Sequence, residues 1–286
     1  MIIGSCFANE IGSILKSYSF NISVNPFGTL YNPISIISSL DRIAQRSFLT
    51  TRDVINISLH STQNPNSTNM ETDGIANDGD GANNKFCSFF HHSSFAKESA
   101  TEFLEHANNC IRKEAEFFKE CDTIIMTLGT SWIFHHTERN MVVSNCHKIN
   151  PREFTRKFLP LGECVENISN FITKYPDKKF IFTVSPIRHL KDGAHGNQIS
   201  KATLLMAIDE ILRLHPDNTY YFPAYEILLD ELRDYRFYAE DMVHPSDLAV
   251  KYIFDKFKEH CIQESAYPEM ARMIKLHKQQ SHRSIN

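Results

Sequence analysis

The chain lacks any continuous apolar stretch near the ~20 residues that cross a bilayer, so neither a spanning helix nor a membrane partner is expected. It also lacks a basic excess. Net charge is −4 with its 14 histidines counted neutral, which argues against nucleic acid and acidic membrane surfaces as partners. No CxxC pair occurs, and the 7 cysteines are scattered and odd in number, which excludes a disulfide framework and points to thiols in a reducing compartment. No charged n-region or cleavage site marks a signal peptide, so a cytoplasmic protein is expected. Only Met1, Ile2 and Ile3 precede Gly4, which is short against a strand of about 5–6 residues. A stunted first strand and a native chain that begins further upstream are the two readings of that start.

What is present fits a soluble globular protein: 42% hydrophobic and 22% charged residues in a chain of 286. No linker or internal repeat divides it, so one domain over 1–286 is expected. Segment 61–85 is polar, rich in Gly, Asn and Asp and without periodicity, and reads as a mobile loop. The basic tail 277–286 is expected to fray.

Helical and strand patterns alternate along the rest. Phe7, Ile11, Ile14, Leu15 and Tyr18 recur at helical spacing, and Pro33 stands where a proline opens a helix. Further helices are expected near 96–118, 154–174, 198–214 and 245–261. Ile22–Val24 reads as a short strand, "TYYFPAYE" as another, and "DTIIMTLG" and "KFIFTVSP" as strands buried on both faces. Strands alternating with helices imply parallel β-α-β units and a three-layer α/β fold with helices on both sheet faces.

In such sheets ligands bind beyond the carboxyl ends of the strands. There the chain places Gly4, Ser5 and Cys6, then Asn25 to Gly28, then Gly129, Thr130, Ser131 and Trp132, then Ser185, Pro186, Arg188 and His189. "AEDMVHPS", with Asp241 and His244, precedes the last helix. Serine, histidine and aspartate converging on one rim have the makings of nucleophile, base and orienter. Each also has a structural reading: Ser5 as a helix N-cap, Asp241 with His244 as a cap of the last helix, Gly28 as a turn.

The blocks "GSCFANEIG", "NPFGTLYNP", "TLGTSW", "NCHKI", "SPIRHLKDGAHGNQISKATL" and "FPAYEILLDELRDYRFYAEDMVHPS" resemble the GSCFA-domain family, a bacterial group related to the GDSL/SGNH hydrolases. The resemblance spans nearly the whole chain outside the 61–85 segment and the tail. It implies a flavodoxin-like, SGNH-hydrolase-like sheet and ester cleavage at a Ser–His–Asp site, with Ser5 as nucleophile, His244 as base and Asp241 orienting it. It also implies that the backbone N–H groups of Ser5 and Gly28 hold the oxyanion. The chain departs from the wider pattern at the third block, where Gly129-Thr130-Ser131 stands in place of Gly-x-Asn, so an oxyanion donor is missing. Ser131 is too short to replace it directly. Asn145 in "VVSNCHKI", near His147, is the candidate replacement, and a turn with its own backbone is the structural alternative.

The expected activity is therefore hydrolysis of O-acyl esters, such as short acyl groups on a carbohydrate, with Arg188, His189 and His147 as substrate contacts and no cofactor. "SPIRHLKDGAHGN" is expected to form a long loop over the site. A catalytically inactive or weak SGNH-like binding or regulatory protein is the alternative. His135, His136, His147, His189 and His195 show no compact ligand spacing such as HExxH, so no metal is expected. Cys6 is a further candidate nucleophile, although its position, one past the turn, predicts a side chain directed into the core.

Overall fold

The computed structural model describes residues 1–57 and 84–283. The 61–85 segment expected as a loop falls, apart from Asn84 and Lys85, outside the described residues. Nine strands occur among the described residues: β1 (Ile2–Gly4), β2 (Ile55–Asn56), β3 (Phe86–Cys87), β4 (Thr123–Leu128), β5 (Trp132–His136), β6 (Met141–Val143), β7 (Phe154–Phe158), β8 (Lys179–Val184) and β9 (Thr219–Tyr221). The principal helices are α1 (Cys6–Ser17), α2 (Pro33–Ala44), α3 (Ala100–Glu120), α4 (Leu161–Lys174), α5 (Gly193–Leu214), α6 (Asp247–Cys261) and α7 (Tyr267–Arg283).

The central sheet is parallel throughout, in the order β1-β4-β8-β9. Alternate residues of each strand face opposite sides, and both sides are apolar, as a parallel sheet covered on both faces requires. Ile3, Ile124, Met126, Leu128, Phe180, Phe182 and Val184 pack against α2, α3, α4 and α5. Ile2, Ile125 and Ile181 belong to the opposite face, against α1, α6 and α7. The chain is thus a three-layer α/β structure. Among the described residues, no helix is long and apolar enough to cross a membrane.

Gly4 ends β1 for a steric reason. Its φ is +143°, and a Cβ there would lie 2.1 Å from the carbonyl oxygen of Thr127 on the neighbouring strand. Gly4→Ala should therefore destabilise the protein by about 1–3 kcal/mol, read as a lower urea midpoint. A midpoint equal to wild type would mean that β1 and β4 can separate freely at this point.

Several elements differ from the sequence expectation. Ile22–Val24 makes only a parallel bridge between Val24 and Ile2, not a strand. The expected helix over 154–174 is divided: Phe154–Phe158 is β7, paired antiparallel with β5, and only Leu161–Lys174 is helical. The apolar positions 154, 158, 161 and 165 fit a helical period. Pro160, however, cannot donate a ladder bond and turns the preceding residue away from helical backbone. The resulting antiparallel sheet, β6-β5-β7, had no counterpart in the sequence reading. Arg156 of β7 lies over the rings of Trp132 and Phe134 and forms an ion pair with Asp192, fixing this small sheet to the start of α5. The long loop expected over 185–197 is shortened, because Leu190–Asp192 is a 3₁₀ turn and Gly193 already begins α5. The tail expected to fray is helical as far as Arg283.

Candidate functional site

Ser5 occupies the N-cap position of α1, yet its side chain makes no capping bond. Its hydroxyl is fully buried and donates instead to Ser185 Oγ at 2.9 Å, joining the end of β1 to the end of β8. A residue type suited to capping makes no capping bond here, and its hydroxyl ties β1 to β8 instead. Its backbone N–H is also engaged, with Thr127 O at 3.1 Å. Cys6 is half-buried and packs against the core beneath α1, with Sγ 3.4 Å from the Tyr31 hydroxyl.

Helix α6, expected as the last, is capped by Ser246, which accepts from Ala249 N, so Asp241 and His244 are not its cap. Asp241 Oδ1 accepts from the N–H groups of Val243 (2.9 Å) and His244 (3.0 Å), while Oδ2 holds His244 Nδ1 at 2.6 Å. Partial burial raises the Asp241 carboxyl, but the two backbone N–H groups and the imidazole outweigh it and hold the group down to about 2. The carboxylate is therefore ionised at any ordinary pH and fixes the ring through Nδ1. Nε2 of the half-exposed His244 has no hydrogen-bond partner among the described residues.

The two halves of this constellation share one rim through the loop after β8. Ser185, which holds Ser5, is followed by Ile187, whose N–H donates back to Ser185 Oγ. Arg188 N–H then donates to Val243 O, and its guanidinium to Met242 O, while stacking 3.9 Å from the Tyr238 ring centroid. Arg188 thus positions the Asp241–His244 loop, which accounts for its side chain without a substrate. His244 itself makes no hydrogen bond to Ser5; each is held by its own partner, Asp241 and Ser185.

Beneath the rim lies a residue that sequence reasoning did not select. Lys201 of α5 is fully buried, and its Nζ donates to Gly129 O and Ser185 O, each at 2.7 Å. It clamps the carboxyl ends of β4 and β8 together. Burial pushes this amine down to about 7. A neutral amine carries two N–H bonds, enough for both carbonyls. The neighbouring Ser200 accepts from Ser131 N–H at 2.8 Å and from Ser131 Oγ at 3.1 Å.

The other expected site residues are engaged in the frame. Gly28, at φ +80°, donates its N–H to Asn25 O at 2.8 Å, and a Cβ there would lie 2.3 Å from His92 Cβ. Asn25 in turn accepts from Gly4 N–H through its side chain at 2.8 Å. Ser131 is buried against Ser200, as above. Asn145 accepts from His147 N–H at 2.7 Å, the local turn that was its structural alternative. His147 is buried with Nε2 on Ser88 O (2.8 Å) and Nδ1 on Ser93 Oγ (3.0 Å), and burial pulls it down to about 4. Its contacts are with 88–93, not with the rim. His189 differs: its Nε2 is buried without a partner among the described residues. Among the described residues, no three His, Cys, Asp or Glu side chains gather to hold a metal ion.

The chain belongs to the GSCFA family, whose family model matches residues 1–257. Neither the curated proteins nor the solved structures contain a significant match.

Proposed function

We propose that this GSCFA-family chain is a serine hydrolase of O-acyl esters, with small-molecule or glycan esters as substrates, built on a flavodoxin-like frame of the SGNH-hydrolase kind. The observation that carries the reading is the Asp241–His244 pair, set through Nδ1, on a loop bonded to the segment after β8 whose Ser185 holds the buried Ser5. The frame is supported by Val24, which lies beside β1; counted as a second strand it gives the order 2-1-3-4-5.

The Ser5 hydroxyl turns from Ser185 towards His244 and attacks the ester carbonyl carbon. Its proton passes to His244 Nε2 while the C=O π pair moves onto oxygen. Collapse of the tetrahedral adduct breaks the bond to the alkoxy oxygen, which leaves with the proton from His244. Water, deprotonated by His244, then attacks the acyl carbonyl carbon, and collapse breaks the bond to Ser5 Oγ, which takes the proton back from His244 as the acid leaves. Asp241 stays ionised and holds the imidazolium. The N-terminus of α1 adds a field favourable to the developing anion.

A specific observation favours the second reading, a binding protein of the same fold without turnover. Ser5 is buried, and the N–H groups of both Ser5 and Gly28 already have acceptors. Release of p-nitrophenolate from p-nitrophenyl acetate separates the two. The hydrolase reading expects wild-type release well above the buffer rate and loss of that excess in Ser5→Ala. Equal rates for wild type, Ser5→Ala and buffer would leave the binding protein.

A further inference from the structure

An oxyanion site needs N–H donors that are not already engaged, and at this rim the obvious ones are. Ser5 N–H is on Thr127 O and Gly28 N–H on Asn25 O. Ser131 N–H and Oγ are both on Ser200 Oγ, and Asn145 accepts from His147 N–H through Oδ1 in a local turn. Two buried ring nitrogens near the third block have no hydrogen-bond partner among the described residues, Trp132 Nε1 and His189 Nε2. Of these, His189 Nε2 is the one that lies against Gly129. A buried, unpaired ring nitrogen carries a desolvation cost with no return inside the fold. Such a group has its partner in something the fold receives.

Its position supports that reading. The ring lies against Gly129, where an added Cβ would come within 3.1 Å of Nε2, and it meets Tyr31 edge-on with centroids 5.4 Å apart. Gly129 immediately follows β4, whose Thr127 O and Leu128 O hold Ser5 N–H and Ser185 N–H. Gly129 also begins the block in which the wider pattern carries its asparagine donor. His189 N–H is held by Asn197 Oδ1 at 2.9 Å, so the backbone that carries the ring is fixed.

We propose that His189, with its proton on Nε2, donates the oxyanion hydrogen bond that the missing third-block asparagine would have supplied, at the floor formed by Gly129. This rests on the ester-hydrolase reading of the site. The donor must keep its proton through the cycle, and the ring is built for that. Burial, then the charges of Lys201, His244 and Arg156, push its imidazole down to about 3, so it works as a neutral donor and not as a second base. Gly129 is part of the same device, because a side chain there would displace the ring.

The test compares His189→Leu, His189→Gln and wild type on p-nitrophenyl acetate, with melting temperatures and the affinity of an alkyl boronic acid, which forms a tetrahedral anion on serine. The proposal expects His189→Leu to lower kcat about 10²–10³-fold with KM little changed. Boronate affinity should fall in parallel while the melting temperature holds, since Nε2 makes no bond in the free protein. His189→Gln, which retains an N–H donor, should recover part of the loss. Should His189→Leu fail to fold, His189→Gln against His189→Met carries the same comparison. A His189→Leu enzyme within about threefold of wild type in kcat, or one changed in KM alone, overturns the proposal while the hydrolase reading stands. A wild-type chain that turns over no ester overturns both.

Discussion

His244→Ala and Ser5→Ala should each reduce kcat/KM on an ester substrate by about 10⁴–10⁶-fold, and the double variant should be scarcely worse than either single one. Nucleophile and base act as one unit, so once either is lost the other has no task. Asp241→Asn should cost about 10⁴-fold, because the carboxamide can present its N–H₂ to Nδ1 and set the imidazole in the wrong tautomer. The local backbone would change little, since an amide oxygen still accepts from Val243 and His244. Cys6→Ala should stay near wild type: its thiol lies 3.4 Å from the Tyr31 hydroxyl, and the proposed base is already paired with Asp241. Steady-state rates of the five proteins decide this. Additive losses in the double variant, or loss in Cys6→Ala with retention in Ser5→Ala, would contradict the assignment.

The second large effect concerns stability. Lys201→Met keeps the apolar stem and removes the donors, leaving the carbonyls of Gly129 and Ser185 buried and unbonded, at about 1–3 kcal/mol each. The loss should depend on pH in a definite direction. In the unfolded chain the amine titrates at 10.5, while burial in the native state lowers it to about 7. Between those values the unfolded state binds more protons, so wild-type stability rises with pH by up to about 1.4 kcal/mol per pH unit. Below about 7 both states are protonated and this contribution is flat, with the full cost of the buried ammonium present. Lys201→Met lacks the slope. Urea denaturation of both proteins at several pH values from 7 to 9 should show the gap widening as pH rises. Parallel pH profiles would mean that Lys201 keeps its charge on folding.

How much of this was legible in the chain follows from the range of the interactions concerned. The buried strands β4 and β8 announce themselves as short apolar runs, and α2 as a helix opened by Pro33, because each signal is local. The antiparallel β5-β6-β7 sheet was hidden for a local reason as well: Phe154, Phe158, Leu161 and Val165 satisfy a helical period, and only Pro160 argues against it. At the site, Ser5, Asp241 and His244 could be selected by residue type and position after predicted strands. Their state could not. The Ser5–Ser185 bond joins residues 180 apart, and the Lys201 contact with Gly129 spans 72. A lysine at helical spacing in "QISKATL" reads as a solvated face, and nothing local marks it as buried. The surroundings of the oxyanion candidates were hidden for the same reason. Gly28 N–H and Asn145 are candidates by type, and the bonds from Gly28 N–H to Asn25 O and from His147 N–H to Asn145 Oδ1 emerge only once the turns around them have formed.

The most direct measurement of the central claim is covalent labelling of the intact chain with a fluorophosphonate, followed by mass-spectrometric mapping of the modified peptide. The probe reacts with a serine whose hydroxyl is activated by a base and whose phosphoryl oxygen finds donors, so it reads nucleophile, base and oxyanion site together. The account predicts a single adduct on Ser5, abolished in His244→Ala. An adduct on Ser185 or Cys6, or an unlabelled chain that is fully folded, would contradict it.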